Sequence, residues 1–216
     1  ATGAGFSYNE IASPDQCHWL DLSRFCGVLE VNEKKRSVTV LAGTSIKDIN
    51  GHLKSHNLVL PAHPALDQQS IAGAISTCTH GSDHFASSLS EYVTEISLIA
   101  ASGVRLNASI SSNTKNLDAF KVSLGSLGII THITLKCESL VFKKISCSLV
   151  STDELTNNLS TFLRFRNFSA HWFPFRKQAI VKIPVSIDAS RATSDKACPS
   201  KEVGCLSTES NYPSLH

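Results

Sequence analysis

The sequence predicts an α+β fold, and three observations support this class. Alternating apolar and polar residues indicate strands at several points along the chain. Apolar residues at helical spacing indicate short helices between some of these strands, and a glycine-containing turn joins two of the strands into a β-hairpin. Strands, hairpins and helices in such a mixture are typical of α+β architecture. With 216 residues, 42% of them hydrophobic, the chain has ample material for a core.

The first predicted elements are a strand and two helices. Residues Val38–Ala42 are β-branched and compact, which indicates a buried strand. Thr44 is expected to cap the helix that follows, because its hydroxyl can accept a hydrogen bond from the first turn. Apolar residues recur at helical spacing after Thr44, at Ile46, Ile49, Leu53 and Leu58, and His56–Asn57 is expected to end the helix. A short strand, Leu58–Pro61, comes next. Ser70 is the expected cap of a second, shorter helix.

A hairpin, a helix and a strand complete the first predicted domain. Tyr92–Ile99 alternates, the Ser102–Gly103 turn follows, and Val104–Leu106 returns as the second strand of a hairpin. A short helix is predicted over Asp118–Leu124. Gly128–Cys137 then alternates again and indicates a strand.

A second unit is predicted to begin near Leu140. Phe142–Val150 is expected to form a strand, and Asp153–Phe165 an amphipathic helix. The residues of this helix expected to face inward are Leu155, Leu159, Phe162 and Leu163. His171–Phe173 and Ala179–Ile187 are two further predicted strands.

The predicted organisation is therefore two domains and a tail. Residues 1–138 form the first domain, and residues 139–188 form the beginning of the second. From residue 189 to residue 216, polar residues and proline dominate with little hydrophobic pattern, so a disordered tail is expected.

Three segments of small residues stand out against the apolar runs around them. They are Gly3–Ser7, Gly73–Gly81 and Leu124–Ile130. Small side chains leave backbone N–H groups exposed, so a flat or phosphorylated ligand can approach closely. Because there are three such segments, we expect them to converge on one extended ligand.

Five segments, taken in order, resemble one known family over about Gly3 to Ile183. These segments are Ala4–Ala12, Val38–Gly43, Ile71–Gly73 with Thr79–Gly81, Ser123–Thr131, and Trp172–Pro174. They are similar to segments of the L-gulonolactone and D-arabinono-1,4-lactone oxidase family. That family has an FAD-binding domain of the vanillyl-alcohol-oxidase (PCMH) type, followed by a substrate cap domain.

The resemblance implies a cofactor and a reaction. FAD would lie between two α+β subdomains, and the CH–OH group at C2 of an aldono-1,4-lactone would pass a hydride to the flavin, as in ascorbate-type biosynthesis. The implied cofactor-binding residues are Gly3, Ala4, Gly5, Phe6, Ser7, Gly73, Thr79, His80, Gly81, Gly125, Gly128, Ile129 and Ile130. For His80, loop support or flavin contact is favoured over catalysis. No catalytic acid or base is assigned, and oxidase and dehydrogenase activity both stay open.

The resemblance also implies that the chain is part of a longer protein. We expect the second part of the FAD-binding domain followed by the start of the cap. The first flavin subdomain is expected before Ala1, and the rest of the cap after about Ile187. The resemblance implies an intracellular location. Association of the full-length protein with an internal membrane, that of the endoplasmic reticulum or of mitochondria, is compatible with it. The expected small-molecule partner is a sugar lactone, and the oligomeric state is not specified.

Departures from the family pattern keep other functions open. Phe6 stands where many members carry the histidine that links the flavin covalently, so non-covalent FAD is expected. Ser76 and Cys78 replace two family glycines, and the segment Phe120–Leu124 is about three residues short, close to one helical turn. These differences favour one alternative, a non-catalytic flavin- or nucleotide-binding remnant or scaffold. Another alternative is a related FAD oxidase that acts on a different alcohol.

Composition argues against several other classes. The net charge is +2 and the longest basic run is Lys34–Arg36, so no nucleic-acid partner is expected. Apolar stretches fall short of the roughly 18 residues that a transmembrane helix needs. No metal site is expected, since His52, His56 and His63 lack ligand spacing. The seven cysteines form no Cys-x-x-Cys pair and are mostly expected to be reduced and buried.

Overall fold

The computed structural model describes residues 1–7, 10–12, 18–85 and 88–186. The chain divides into two compact units, Ala1–Leu140 and the unit that begins at Val141. The assignment of residues 1–138 and 139–188 to an FAD-binding domain and a cap stays a prediction. The predicted tail, 189–216, lies outside the described residues.

The first unit is built on a five-stranded antiparallel sheet. The strands described in this unit are β1 (Val28–Asn32), β2 (Ser37–Leu41), β3 (Leu58–Val59), β4 (Val93–Ile99), β5 (Arg105–Ser109), β6 (Ile129–Lys136) and β7 (Glu138–Ser139). The sheet order is β1-β2-β6-β4-β5, and β4 and β5 form the predicted hairpin. Strand β3 pairs separately with β7, and the N–H of Leu140 donates to the carbonyl of Asn57 at 2.8 Å.

Helices α1 (Ile46–Lys54), α2 (Ile71–Ser76) and α3 (Thr114–Lys121) pack with this sheet, and the first begins differently from the prediction. The cap of α1 is Ser45, whose hydroxyl accepts from the N–H of Asp48 at 3.0 Å. The expected cap, Thr44, is buried, and its hydroxyl donates to the carbonyl of Leu41 at 2.7 Å. It also accepts from the N–H of Gly27 at 2.9 Å, so Thr44 ties the end of β2 to the segment before β1.

Helix α3 begins four residues before the predicted start. Asn113 is its cap, since its side-chain oxygen accepts from the N–H of Asn116 at 3.3 Å. The helix ends at Lys121, before the predicted end at Leu124. The prediction followed the apolar residues, whereas the polar residues before them begin the helix.

One apolar cluster joins the sheet to the helices. Its members that are fully buried include Val38, Val40, Ile46, Ile49, Leu53, Ile71, Ile75, Ile96, Leu98, Leu117, Ile133 and Leu135. The buried strand predicted over Val38–Ala42 and the helical spacing of Ile46, Ile49 and Leu53 therefore both place apolar residues in this core.

The cysteines are only partly buried, contrary to expectation. Cys137 is buried and Cys147 half-buried, but Cys26 and Cys78 are exposed. Cys26 and Cys78 lie in loops rather than in strands, which explains their exposure. Burial raises the pKa of the Cys137 thiol from 9.0 to about 11. The other cysteines fall outside the described ranges.

The second unit contains a three-stranded antiparallel sheet and two short helices. The elements described are β8 (Lys143–Ser151), α4 (Thr152–Asn157), α5 (Leu159–Phe162), β9 (Ser169–Phe173) and β10 (Gln178–Ser186), with sheet order β8-β10-β9. The helix predicted over Asp153–Phe165 is interrupted at Asn158, whose side-chain amide donates to the carbonyl of Glu154. Leu159 and Leu163 are exposed instead of inward. No described helix has the length and hydropathy required to cross a bilayer.

The contrast between the thiols can be measured by alkylation. When the native chain is treated with iodoacetamide at pH 8, Cys26 and Cys78 should react readily and Cys137 slowly, because the Cys137 thiol is both inaccessible and protonated. Peptide mass spectrometry measures each site, and the urea-unfolded chain is the control in which all react. Comparable labelling of native Cys137 would contradict its burial.

The raised pKa of Cys137 also predicts that stability depends on pH. The free energy of unfolding should fall as the pH rises from about 9 to about 11, since the Cys137 thiol loses its proton at lower pH in the unfolded chain than in the folded chain.

Candidate functional site

The three small-residue segments line a single cleft of about 860 Å³ in the first unit. The cleft contains Gly3–Ser7, part of Gly73–Gly81, and part of Leu124–Ile130. Its remaining wall includes Pro64–Leu66 and the polar residues Gln69 and Ser70. The three segments therefore converge on one cleft, as expected. That these residues contact a cofactor stays a prediction.

Hydrogen bonds around α2 bring the segments together. The N–H groups of Ile71 and Ala72, at the start of α2, donate to the carbonyls of Thr44 and Ala42, at 2.8 and 3.1 Å. The N–H of Leu124 donates to the carbonyl of Ser76, at the end of α2, at 3.3 Å. Helix α2 thus spans the floor of the cleft from the end of β2 to the turn before β6.

Of the predicted cofactor-binding residues, Gly81 is the one that the cleft does not include. It lies against the backbone of His63, and a Cβ atom at Gly81 would lie 2.7 Å from the His63 carbonyl oxygen. Close packing between two loops accounts for this glycine. The other predicted residues line the cleft: Gly3, Ala4, Gly5, Phe6, Ser7, Gly73, Thr79, His80, Gly125, Gly128, Ile129 and Ile130.

The segment Gly3–Ser7 offers a row of backbone donors. Within the described part of the chain, none of its N–H groups donates a hydrogen bond. Gly5 has φ of +71°, a left-handed conformation that glycine adopts at little cost. A Cβ atom at Gly3 would lie 2.0 Å from the Ser70 hydroxyl oxygen, so the backbone passes directly over the start of α2. These free donors suit an anionic ligand.

Two hydrogen bonds orient polar side chains in the cleft. The hydroxyl of Thr79 donates to the side-chain oxygen of Gln69 at 3.1 Å, which leaves the amide N–H groups of Gln69 as donors. Nδ1 of His80 lies 2.9 Å from the carbonyl oxygen of Gly81. A carbonyl only accepts, so Nδ1 carries the proton and Nε2 of the neutral ring is an acceptor. Gln69 was missed from the sequence, because only its hydrogen bond with Thr79 distinguishes it from other polar loop residues.

The cleft lining carries little formal charge. Among the described lining residues there is no aspartate, glutamate, lysine or arginine, and the side chains that titrate are Cys78 and His80. No cluster of metal-ligating side chains occurs in the described ranges. Negative charge on a ligand would therefore be met by amide N–H groups.

Cys78 adopts the left-handed conformation, with φ of +58°, although it has a side chain. The residue replaces one of the two glycines that the family pattern has here, and left-handed backbone explains the preference for glycine. Ser76, at the other replaced position, is a buried residue within α2, where a serine fits without such strain. Substitution at residue 78 therefore strains the backbone and substitution at residue 76 does not.

Comparison with known proteins gives a family match and several relatives. Residues 1–109 match a family described as FAD binding domain. The chain is 31% identical to D-arabinono-1,4-lactone oxidase of Debaryomyces hansenii, over 80% of this chain and 33% of that protein. It is 33% identical to L-gulonolactone oxidase of Mus musculus, over 80% of this chain and 39% of the relative. It is 35% identical to L-gulono-1,4-lactone dehydrogenase of Mycobacterium tuberculosis, over 63% and 31% of the two chains.

Solved structures show the same fold. Cholesterol oxidase from Brevibacterium sterolicum superimposes with a TM-score of 0.74 over 86% of this chain and 40% of the oxidase, at 20% identity. A second structure of that enzyme superimposes with a TM-score of 0.72 at 20% identity, over 85% of this chain and 39% of the oxidase. The chain spans about a third of the length of the curated relatives, from 33% to 39% for the two oxidases above.

The turn before β6 should not tolerate a side chain at Gly128. Its φ is +148°, and a Cβ atom would lie 2.3 Å from the Ile99 carbonyl oxygen, so Gly128→Ala should lower the free energy of unfolding by about 2–4 kcal/mol. The matched control is Gly51→Ala in α1, where no atom lies within 4 Å of the new Cβ. That change should raise the free energy of unfolding by about 0.5–1 kcal/mol. Urea denaturation followed by circular dichroism measures both, and equal effects would refute the close approach.

The strain at Cys78 should be relieved by glycine. Cys78→Gly is expected to raise the free energy of unfolding by about 0.5 kcal/mol, since relief of the left-handed strain exceeds the entropy lost with glycine. Cys26, an exposed cysteine without positive φ, is the control, and Cys26→Gly should lower the free energy by about 0.5–1 kcal/mol. A lower free energy of unfolding in both variants, measured by urea denaturation, would argue against the left-handed conformation at residue 78.

Proposed function

The chain belongs to the FAD binding domain family, and on this premise we propose that the cleft of the first unit holds FAD and that the whole protein oxidises the CH–OH group of an aldono-1,4-lactone. The predicted resemblance to the lactone oxidases and the predicted α+β fold of the vanillyl-alcohol-oxidase type are confirmed. Activity and substrate are part of the proposal, because this chain spans only about a third of the length of the relatives that bear these names.

The donor row at Gly3–Ser7 is the observation that carries the proposal. A pyrophosphate needs several N–H donors and close approach of backbone, and this segment supplies both in a cleft of about 860 Å³. Volumes of roughly 300–1,000 Å³ are usual for small-molecule and cofactor sites. The described lining residues include no carboxylate, so they add no repulsion to a phosphate. The residues present therefore fit FAD.

The polar side chains Gln69, Thr79 and His80, which also line the cleft, suit the ring of the cofactor. Bound FAD supplies the acceptor for the hydride that leaves the lactone. The amide of Gln69, fixed by Thr79, can donate to a ring oxygen or nitrogen, and Nε2 of His80 can accept from an N–H or a hydroxyl. These residues would bind and orient the ring of FAD. No catalytic acid or base is assigned to the chain.

Non-covalent binding is part of the proposal. Phe6 lines the cleft at the position where many family members carry the linking histidine, and a phenyl ring forms no such bond. FAD is therefore expected to dissociate when the chain unfolds.

The lactone as substrate is inferred from the relatives. Two of them are named oxidases and one a dehydrogenase, so the final electron acceptor is left open. The ascorbate-type product and association with an internal membrane follow from the same resemblance. Another alcohol is the alternative substrate.

A non-catalytic flavin-binding remnant is the second candidate. The strained Cys78 and the lack of any titrating side chain besides Cys78 and His80 among the described cleft residues favour it. Lactone-dependent bleaching of the flavin under anaerobic conditions would exclude this candidate.

FAD binding can be tested with glycines of matched conformation. The chain should bind one equivalent of FAD, and urea should release it without a covalent remnant. Gly5→Ala should weaken binding by about tenfold, because φ is +71° and the strain falls within the donor row. Isothermal titration calorimetry measures the dissociation constant.

The control is Gly103→Ala in the β4–β5 turn, which has φ of +81° and open space as at Gly5. It should lower stability by a similar amount and leave the dissociation constant unchanged. Failure of the unmodified chain to bind FAD, or equal weakening in both variants, would refute the placement of FAD in this cleft.

A further inference from the structure

A second groove, of about 460 Å³, opens beside the cleft. The two share part of their walls, including Thr2, Gly125 and Gly128. The rest of the groove is mostly apolar or small, with Ile99 among its lining residues. It also contains Trp19, an indole that is 56% exposed. A large exposed aromatic ring in a groove offers a flat surface for another ring.

Trp19 is held next to the donor row of the cleft. The N–H of Thr2 donates to the carbonyl of Leu20 at 2.9 Å, and the N–H of Leu22 donates to the carbonyl of Thr2 at 3.2 Å. The segment that carries Trp19 therefore runs parallel to the segment that continues into Gly3–Ser7. The backbone that carries the indole is thus held beside the expected pyrophosphate site.

We propose that the second groove binds the adenine ring of FAD and that Trp19 is the side chain on which the adenine stacks. The assignment rests on the proposed function, because the pyrophosphate at Gly3–Ser7 sets where the two ends of FAD can reach. FAD has one ring system on each side of its pyrophosphate, and the cleft and the second groove meet beside the donor row. Base–aromatic stacking is a strong, shape-tolerant contact.

The distribution of polar groups decides which ring occupies which space. The isoalloxazine is the larger ring and presents a row of polar atoms along one edge. The cleft is the larger space and holds Gln69, Thr79 and His80, which can bond that edge. The second groove has about half the volume, and none of these three side chains lines it, whereas the indole of Trp19 does. Adenine, the smaller and flatter group, fits there.

The assignment predicts a selective loss of affinity. Trp19→Ala should weaken FAD about tenfold, the loss expected for one stacked base, and leave FMN, which lacks the adenine, unchanged. Trp19→Phe should keep most of the FAD affinity, since phenyl also stacks. Trp172→Ala, an exposed tryptophan of the second unit, is the matched control and should leave FAD binding unchanged. Calorimetric titration with FAD and with FMN measures the dissociation constants of the unmodified chain and of the three variants.

A second measurement reports on the indole itself. In the Trp172→Phe chain, Trp19 is the remaining tryptophan, and ADP should quench its fluorescence although ADP contains no flavin. Equal weakening of FAD and FMN by Trp19→Ala, or no weakening and no quenching, would overturn the adenine assignment while FAD binding itself stands. If the unmodified chain bound neither FAD nor FMN, the proposed function would be wrong and the assignment would fall with it.

Discussion

The hydrogen bonds at the two ends of α2 are the constraint on which the cleft depends. At one end, Ile71 and Ala72 are bonded to the end of β2, and at the other end Ser76 is bonded to Leu124. Segments that are widely separated in the sequence thereby meet at one short helix. Because the core residues Ile71 and Ile75 anchor that helix in the apolar cluster, packing of the sheet positions the loops.

The proposed recognition by backbone rather than by charged side chains would explain the composition of the loops. Amide N–H groups do not titrate, and their reach is short, so the ligand must come close. Glycine at residues 3 and 5 permits this approach, and any larger side chain at Gly3 would meet Ser70. Because the described lining residues include no carboxylate, lysine or arginine, the proposed site would distinguish ligands by shape and by the placement of acceptors more than by net charge.

Much of the first unit could be predicted from the sequence, because its strands and the buried face of α1 have clear periodicity. The segments Gly3–Ser7 and Leu124–Ile130 could also be found, since small residues between apolar runs are visible locally. The first residues of the helices were harder to predict. Thr44 and Ser45 are adjacent and both able to cap α1, and only the contact of Thr44 with Gly27 decides between them. The break at Asn158 depends on a side-chain bond that periodicity does not report.

The positions of Gln69 and Trp19 could not be predicted, for a related reason. Neither belongs to a glycine segment, and each gains its position from a contact across the fold, Gln69 from Thr79 and Trp19 from the pairing of Leu20 with Thr2. Gly81 shows the reverse case. It shares the local pattern of the cleft glycines, yet its missing side chain accommodates His63 instead.

The pairing of β3 with β7 has a practical consequence for any attempt to produce the first unit separately. Leu58 and Val59 pair with Ser139 and Glu138, and Leu140 is bonded to Asn57, so the last residues of the unit cover its interior apolar strand. A gene truncated after β6 would leave Leu58, which is 5% exposed, without its covering strand. The shortest recombinant version that preserves this closure ends beyond residue 140.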